Sequence, residues 1–365
     1  MKKIIALLLC VVMITCMFAG CSNDPAAEPP TQGTPTTDGN TSVKRIVDAG
    51  EAAMKGDSTE WKIAVVCKDS ANAWFVRMDA GVQQFAADTG INAYQKGPSS
   101  CDAALQVQVI EDVINQGIDA LCVVPVDPAA CEPVLKEARE RGIVVITHEG
   151  STCQNVDFDL EAFDNSGYGA FIMDKLQEAM GGSGIYTTMV AHLTNASQNE
   201  WADGAVARQK EAYPGLTLLD AMPRLESENN SEKAYEAAKE ILKTYPDITG
   251  FVGTSSMDTP GVARAIDELG LKGKVFVVGT GMPNECRELI KDGSLSYITL
   301  WDPAEAGYAM CVMARMILEG REVGVGTDLG LASYNSLAAA SDDGKVLTGA
   351  GWIAINADNV DDYDF

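Results

Sequence analysis

Lys68, Asn72, Trp74 and Phe75 lie together in KDSANAWF, directly after the apolar run WKIAVVC. A cation, several hydrogen-bonding groups and two adjacent aromatics in one loop suit a polyhydroxy ligand. The ring stacks on C–H faces while polar groups satisfy the hydroxyls. Phe75 also fits the apolar stripe of the helix that follows. Similar deliveries recur along the chain. His148-Glu149-Gly150 follows GIVVIT, and a carboxylate there can accept two hydroxyl bonds. Ser197-Gln198-Asn199-Glu200-Trp201 opens a helix; Thr254-Ser255-Ser256-Met257-Asp258 follows ITGFVG; Gly279 to Asn284 follow KVFVV; Trp301-Asp302 ends LSYITLW. No nucleophile–base pair is evident. Glu149 and Asp302 could act as acid and base, but hydrogen bonding to a neutral polyhydroxy ligand is the simpler use. The two histidines, His148 and His192, each lack a nearby ligand set and there is no CxxC, so no metal site is expected.

Those groups need a scaffold that gathers strand ends. From Trp61 the chain alternates short β-branched runs (WKIAVVC, INAYQKG, DALCVVPV, GIVVITH) with amphipathic helices. Phe75, Met78, Val82, Phe85 and Ala86 recur at helical spacing, as do Leu105, Val109, Ile110, Val113 and Ile114. A third helix starts at Asp127-Pro128. The alternation restarts with GIYTTMV, LTLLDAM, ITGFVGT, KVFVVGT and LSYITLW, separated by helices over 198–213, 231–245, 258–270 and 283–292, with a further helix over 304–319. Such alternation predicts parallel sheets flanked by helices. DFDLEAFDNSGYGA reads as the crossing between two α/β units. In open parallel sheets, ligands sit beyond the carboxyl ends of strands, which is where the polar groups above fall.

The 365 residues carry 27 basic and 52 acidic side chains, a net charge of −25. Such a polyanion has no long-range attraction for nucleic acid or anionic lipid. Of ten cysteines, Cys10 and Cys16 lie in the leader described next. Cys67 and Cys122 sit in strand-like runs and read as core, and Cys131 and Cys153 could pair.

Lys2 and Lys3, the apolar run Ile4–Ile14 and the small residues before Cys21 form a secretory leader too short to span a bilayer. FAGC resembles the lipobox of bacterial lipoproteins, which implies cleavage after residue 20 and lipid on Cys21. Residues 22–41 are Pro-, Thr-, Gly- and Asp-rich and read as a disordered tether. Residues 42–56 have weak helical spacing. The folded body is expected to begin near Trp61.

Taken together, VCKDSANAWF, QVQVIEDVINQGIDAL, VDPAACEPVLKEARERGI, SQNEW, GTGMPN, ITLWD and YDF resemble the type I periplasmic solute-binding proteins of ABC importers, in the branch of autoinducer-2-binding and rhamnose-binding receptors. The resemblance runs from Trp61 onward. It implies an α/β, periplasmic-binding-protein-like type I fold: two doubly wound parallel-sheet lobes joined by a three-segment hinge. The implied lobes are 61–163 plus 303–328 and 164–302 plus 329–365, with crossings near 161–165, 301–303 and 326–331. It further implies binding roles for Lys68, Glu149, Gln198, Thr254, Ser255 and Ser256, with Trp74, Trp301 and Asp302 shaping the pocket; Asn72, Phe75 and Asn199 join them from the strand-end reading. An autoinducer-2 receptor would carry Asp where Glu149 and Ser197 stand, and Pro and Ala where Thr254 and Ser256 stand. The departures favour a more hydroxylated guest, a monosaccharide or polyol. The implied partner is an ABC permease, with contact to the membrane through the lipid alone, a monomeric state, no cofactor and no nucleic acid.

Other classes fit less well. The first strand has no GxGxxG after it, and Gly181-Gly182-Ser183-Gly184 precedes a strand rather than a helix, so a nicotinamide enzyme is not expected. A sugar-responsive transcription factor would need a DNA-binding headpiece where the tether stands. A receptor that presents its ligand to a signalling or chemotaxis system, including an autoinducer-2-like ligand, is the remaining alternative.

Overall fold

The computed structural model describes residues 45–54 and 60–365. The leader, Cys21 and the tether 22–41 lie outside the described residues. Strands and helices are numbered along the chain. The first sheet contains β1 (Lys62–Val66), β2 (Asn92–Lys96), β3 (Ala120–Val123), β4 (Val144–Thr147), β5 (Phe158–Glu161), β12 (Ala338–Ala339) and β13 (Val346–Thr348), in the order β12-β13-β5-β4-β3-β1-β2. All neighbours are parallel except β12 and β13. The second contains β6 (Gly184–Val190), β7 (Leu216–Leu218), β8 (Arg224–Glu226), β9 (Ile248–Gly253), β10 (Phe276–Thr280), β11 (Tyr297–Leu300) and β14 (Ile353–Ile355), in the order β14-β11-β10-β9-β6-β7, with β8 also on β6. Here only β14 runs antiparallel. Strands buried on both faces read as continuous apolar runs. Accordingly, Ile63 to Val66 of β1 are all fully buried.

Helices cover both sheets. The first lobe carries α2 (Ala73–Thr89), α3 (Ala103–Asn115), α4 (Pro128–Glu140) and α10 (Pro303–Leu318); the second carries α5 (Asn165–Met180), α6 (Ala196–Ala212), α7 (Ser231–Thr244), α8 (Asp258–Glu268) and α9 (Pro283–Lys291). Asn72, Asp102, Asp127, Asn195 and Asp302 cap α2, α3, α4, α6 and α10 through their side-chain oxygens. Caps fall at strand-to-helix turns, so helix starts and strand ends share one edge of each sheet. Two helix pairs approach through glycine. A Cβ on Gly169 of α5 would lie 2.0 Å from the Trp201 carbonyl oxygen of α6, and one on Gly81 of α2 would lie 1.9 Å from that of Ala304 in α10.

The structure corrects several expectations. DFDLEAFDNSGYGA is not wholly a crossing: its first part is β5, and its end begins α5. The third crossing is not at 326–331. β12 and β13 add to β5, so 338–348 stay with the first sheet and the chain crosses at 349–352, before β14. The other two crossings lie at 162–164 and 301–302. Of the weak helix expected over 42–56, the described residues show α1 (Glu51–Met54), and the body begins earlier than Trp61. Val47 is buried, the Arg45 guanidinium forks onto Asp88, and Arg315 Nη2 donates to the Ala53 carbonyl at 2.8 Å. Cys131 and Cys153 are both buried in one apolar cluster and remain thiols.

Leu105, expected in the core stripe of α3, is exposed, whereas Gln106 is fully buried. Gln106 Nε2 donates to the carbonyls of Cys67 (3.0 Å) and Val124 (2.8 Å), and Oε1 accepts from Val126 N at 2.8 Å. One amide therefore ties the ends of β1 and β3 beneath the loop that carries Lys68. Gln106→Leu should cost about 2–5 kcal/mol of folding free energy, because three buried backbone groups lose their partner. Urea unfolding reads this directly; an unchanged midpoint and slope would contradict it.

Candidate functional site

Lys68 follows the end of β1 and Glu149 follows the end of β4, two strands apart in the same sheet. Lys68 Nζ donates to Glu149 Oε2 at 2.5 Å, and each residue is only 4% exposed. Burying two charges is costly, and their attraction seldom more than offsets the desolvation. Glu149 also holds a left-handed backbone (φ 58°) that bulky residues rarely adopt. A buried ion pair and a strained backbone in one place are features retained for function rather than for stability.

The first turn of α2 brings the aromatic wall. Asn72 Oδ1 accepts from Trp74 N at 2.9 Å, which leaves its amide NH₂ free. Trp74 meets Trp301 edge-on, with ring centroids 4.6 Å apart. Both indole N–H groups are buried without a protein acceptor. Trp301 belongs to the second crossing, so its ring stands between the lobes. His148, fully buried, sets its Nδ1 2.5 Å from the Leu160 carbonyl and rests its ring against Trp301.

The second lobe faces this wall. Gln198 Oε1 accepts from Ala191 N at 2.8 Å, so its NH₂ is the free end. After β9, Thr254 Oγ1 donates to the Met189 carbonyl, and Ser255 Oγ donates to Asn229 Oδ1 at 2.7 Å. The Asp258 carboxylate fixes this loop: it accepts from Thr254 N (3.0 Å), Ser255 N (2.8 Å) and Ser227 Oγ (2.6 Å). Ser256 is left with an unengaged hydroxyl. Lys68, Glu149 and Trp74 of one lobe thus enclose, with Gln198 and Ser256 of the other and Trp301 between them, about 320 Å³ of space between atoms.

Asn72, Phe75, Thr254 and Ser255 also line this space, but two sequence candidates do not. Asn199 spends its amide on the carbonyls of His192 and Asn195 and on Arg224. Asp302 turns away to cap α10 and to grip Arg77. Three further residues line the space: Trp201 and Thr280, which lie in strand-end runs noted in the sequence without an assigned binding role, and Asn229. Trp201 sits three residues after Gln198 in α6, hence on the same helix face, and its ring lies 5.4 Å from Trp301. Thr280 lies in the GTGMPN run. Asn229 had no visible signal, because the short β8 that presents it escaped notice.

A larger hollow of about 1010 Å³ opens on the hinge side, where Glu161, Asp164, Glu200 and Asp203 wall it. Burial pushes the Glu161 carboxyl well up, with the charges of Asp159 and Glu149 adding to it. Burial likewise raises Asp159. That wall carries four acidic side chains and no cation, whereas the smaller pocket holds a paired lysine and glutamate beside three tryptophans. Among the described residues, no three His, Cys, Asp or Glu side chains are placed to hold a metal ion.

Comparisons with known proteins agree with this architecture. Residues 63–322 match the model of the periplasmic binding protein domain. The chain belongs to that family. It is 27% identical over 260 residues to the D-allose-binding periplasmic protein of Escherichia coli, covering 67% of this chain and 80% of that one. LsrB from Clostridium saccharobutylicum, solved with AI-2, superposes with a TM-score of 0.75 at 24% identity, covering 83% of this chain and 100% of the other. An ABC transporter solute-binding protein from Clostridium phytofermentas with bound L-rhamnose gives 0.74 at 22%, covering 84% and 99%. The protein is therefore a solute-binding protein of the type I fold that acts outside the cytoplasm, and not an enzyme.

Burial raises the Asp258 carboxyl from 3.8 to about 6, despite its three donors. The folded state then holds this proton more tightly than the unfolded chain. Its contribution to stability is complete below the unfolded value and fades as pH climbs through about 6. Relative to Asp258→Asn, the wild type should lose about 2 kcal/mol between pH 4 and 6.5. Chemical unfolding of both proteins across that range measures the difference; a flat or rising gap would contradict the assignment.

Proposed function

We propose that the protein captures one uncharged monosaccharide or related polyol between its lobes and hands it to the permease of an ABC importer. The observation that carries this reading is the composition of the pocket. Two indole rings meet edge-on at its wall, its only charged pair is internally neutral, and the free ends of Asn72, Gln198 and the two indoles are donors. Rings receive C–H faces, and donors receive hydroxyl and ring oxygens. Three relatives whose names mention allose, ribose and xylose lend support. An anionic guest is disfavoured, because Glu149 already neutralises Lys68 and no second cation lines the pocket.

Closure follows from the same placement. Lys68, Glu149 and Trp74 ride on one sheet; Gln198 and Ser256 ride on the other. A ligand touching both sets favours the closed arrangement, because only that arrangement completes its contacts. Cleavage before Cys21 and its lipidation would hold the protein at the outer face of the cell membrane, as the leader motif supports.

The decisive test separates binding from folding at the ion pair. Glu149→Ala alone strands a buried ammonium and should cost about 3–5 kcal/mol of stability. Lys68→Met with Glu149→Leu should recover most of that stability yet weaken sugar binding by about tenfold or more. Thermal shift over a panel of pentoses, hexoses, deoxysugars and polyols, followed by calorimetry on the hits, reads both. No response to the whole panel would end the carbohydrate reading. Response to an autoinducer-2-type furanose alone would move the function to signalling.

A further inference from the structure

The run YDF, one of the marks of the sequence, takes no part in the pocket, yet it reaches across the lobes. Its residues ride on the second lobe. The Phe365 carbonyl accepts from Asn284 N at 2.9 Å at the start of α9. Arg287 of α9 donates to the carbonyls of Val360 and Tyr363 at 2.6 Å each, and pairs with Asp361. Tyr363 meets the Phe365 ring edge-on, 6.2 Å between centroids.

On the opposite side, Arg77 belongs to α2 of the first lobe, one turn beyond Trp74. Its guanidinium is locked by a two-pronged bond to Asp302, Nε to Oδ1 at 2.9 Å and Nη2 to Oδ2 at 2.7 Å. Asp302 follows Trp301 directly, so this clamp sits behind the pocket's aromatic wall. The guanidinium carbon lies 4.3 Å from the centroid of the Phe365 ring, within the reach of a cation–π contact. The geometry therefore joins a first-lobe cation, fixed at a crossing, to a second-lobe ring, fixed on α9.

We propose that Phe365 and Arg77 form an interlobe latch that is made when the lobes close and broken when they open, setting how long a captured ligand is held. The proposal rests on the capture reading only for what closure serves; the latch itself is a property of the two lobes. Rotation about the three crossings moves α9 and Phe365 with the second sheet, while Arg77 stays with the first. A contact present in one state alone shifts the equilibrium toward that state. Arg77 and Phe365 are positioning residues, since neither lines the pocket.

The test counts closed molecules with and without sugar. Dyes on clickable residues replacing the exposed Glu111 and Glu240 report lobe separation by single-molecule energy transfer. Phe365→Leu keeps apolar bulk and removes the ring's electrons. It should lower the closed-to-open ratio about three- to tenfold, and speed ligand release by a similar factor while leaving the association rate unchanged. Phe365→Trp, with the stronger ring, should restore or exceed the wild-type ratio. An unchanged ratio in Phe365→Leu would overturn the latch. So would a lowered ratio that Phe365→Trp fails to restore, which marks plain loss of packing. If the wild type binds no sugar, the capture reading falls, while the ratio in ligand-free protein still decides the latch.

Discussion

Three chain crossings meet in one aromatic joint, and the geometry of the pocket follows from it. Phe163 comes from the first crossing, Trp301 from the second and Trp352 from the third. The Phe163 ring lies 5.1 Å from Trp301 and 5.6 Å from Trp352, and it stacks on Tyr168 of α5 at 4.2 Å. Edge-to-face and offset contacts of this kind add about 0.5–1.5 kcal/mol per pair beyond area burial. The joint thus ties together segments that would otherwise be independent strings between two bodies. Trp301 is both a member of the joint and a wall of the pocket, so whatever touches its ring also touches the hinge.

Around that joint, polar groups are used with little duplication. Side-chain oxygens of Asn72 and Gln198 are spent on backbone N–H groups, leaving NH₂ groups for a guest. Asp258 pins the Thr254–Ser256 loop from below, and Gln106 pins the loop bearing Lys68. The groups facing the pocket are held by neighbours that do not face it. Preorganisation of this sort reduces the entropy lost when a small flexible ligand is ordered.

Much of this was legible in the sequence, because strand ends announce themselves. Apolar β-branched runs stop at polar residues, and helix caps follow. Lys68, Glu149, Gln198 and Trp301 could be picked out on that ground and on the family resemblance. What stayed hidden has physical causes. β5 carries Asp159 and Glu161, two buried acids in a four-residue strand, so its polarity passed for a loop. The strands β12 and β13 are two and three residues long, too short to show alternation, and the third crossing was misplaced with them. Asp302 and Asn199 have the right chemistry beside the right neighbours, but their side chains answer to Arg77 and Arg224 instead. One-dimensional spacing places a residue near a site; it does not say which of two polar partners claims it.

Native mass spectrometry of freshly purified protein bears most directly on the central claim, that one uncharged polyhydroxy guest is held between the lobes and released unaltered. The account expects a single adduct with the mass of a neutral sugar or polyol, displaced by sugar and absent from the Lys68→Met, Glu149→Leu double variant. An adduct with the mass of an amino acid or nucleotide, or a sugar retained in full by that variant, would contradict it.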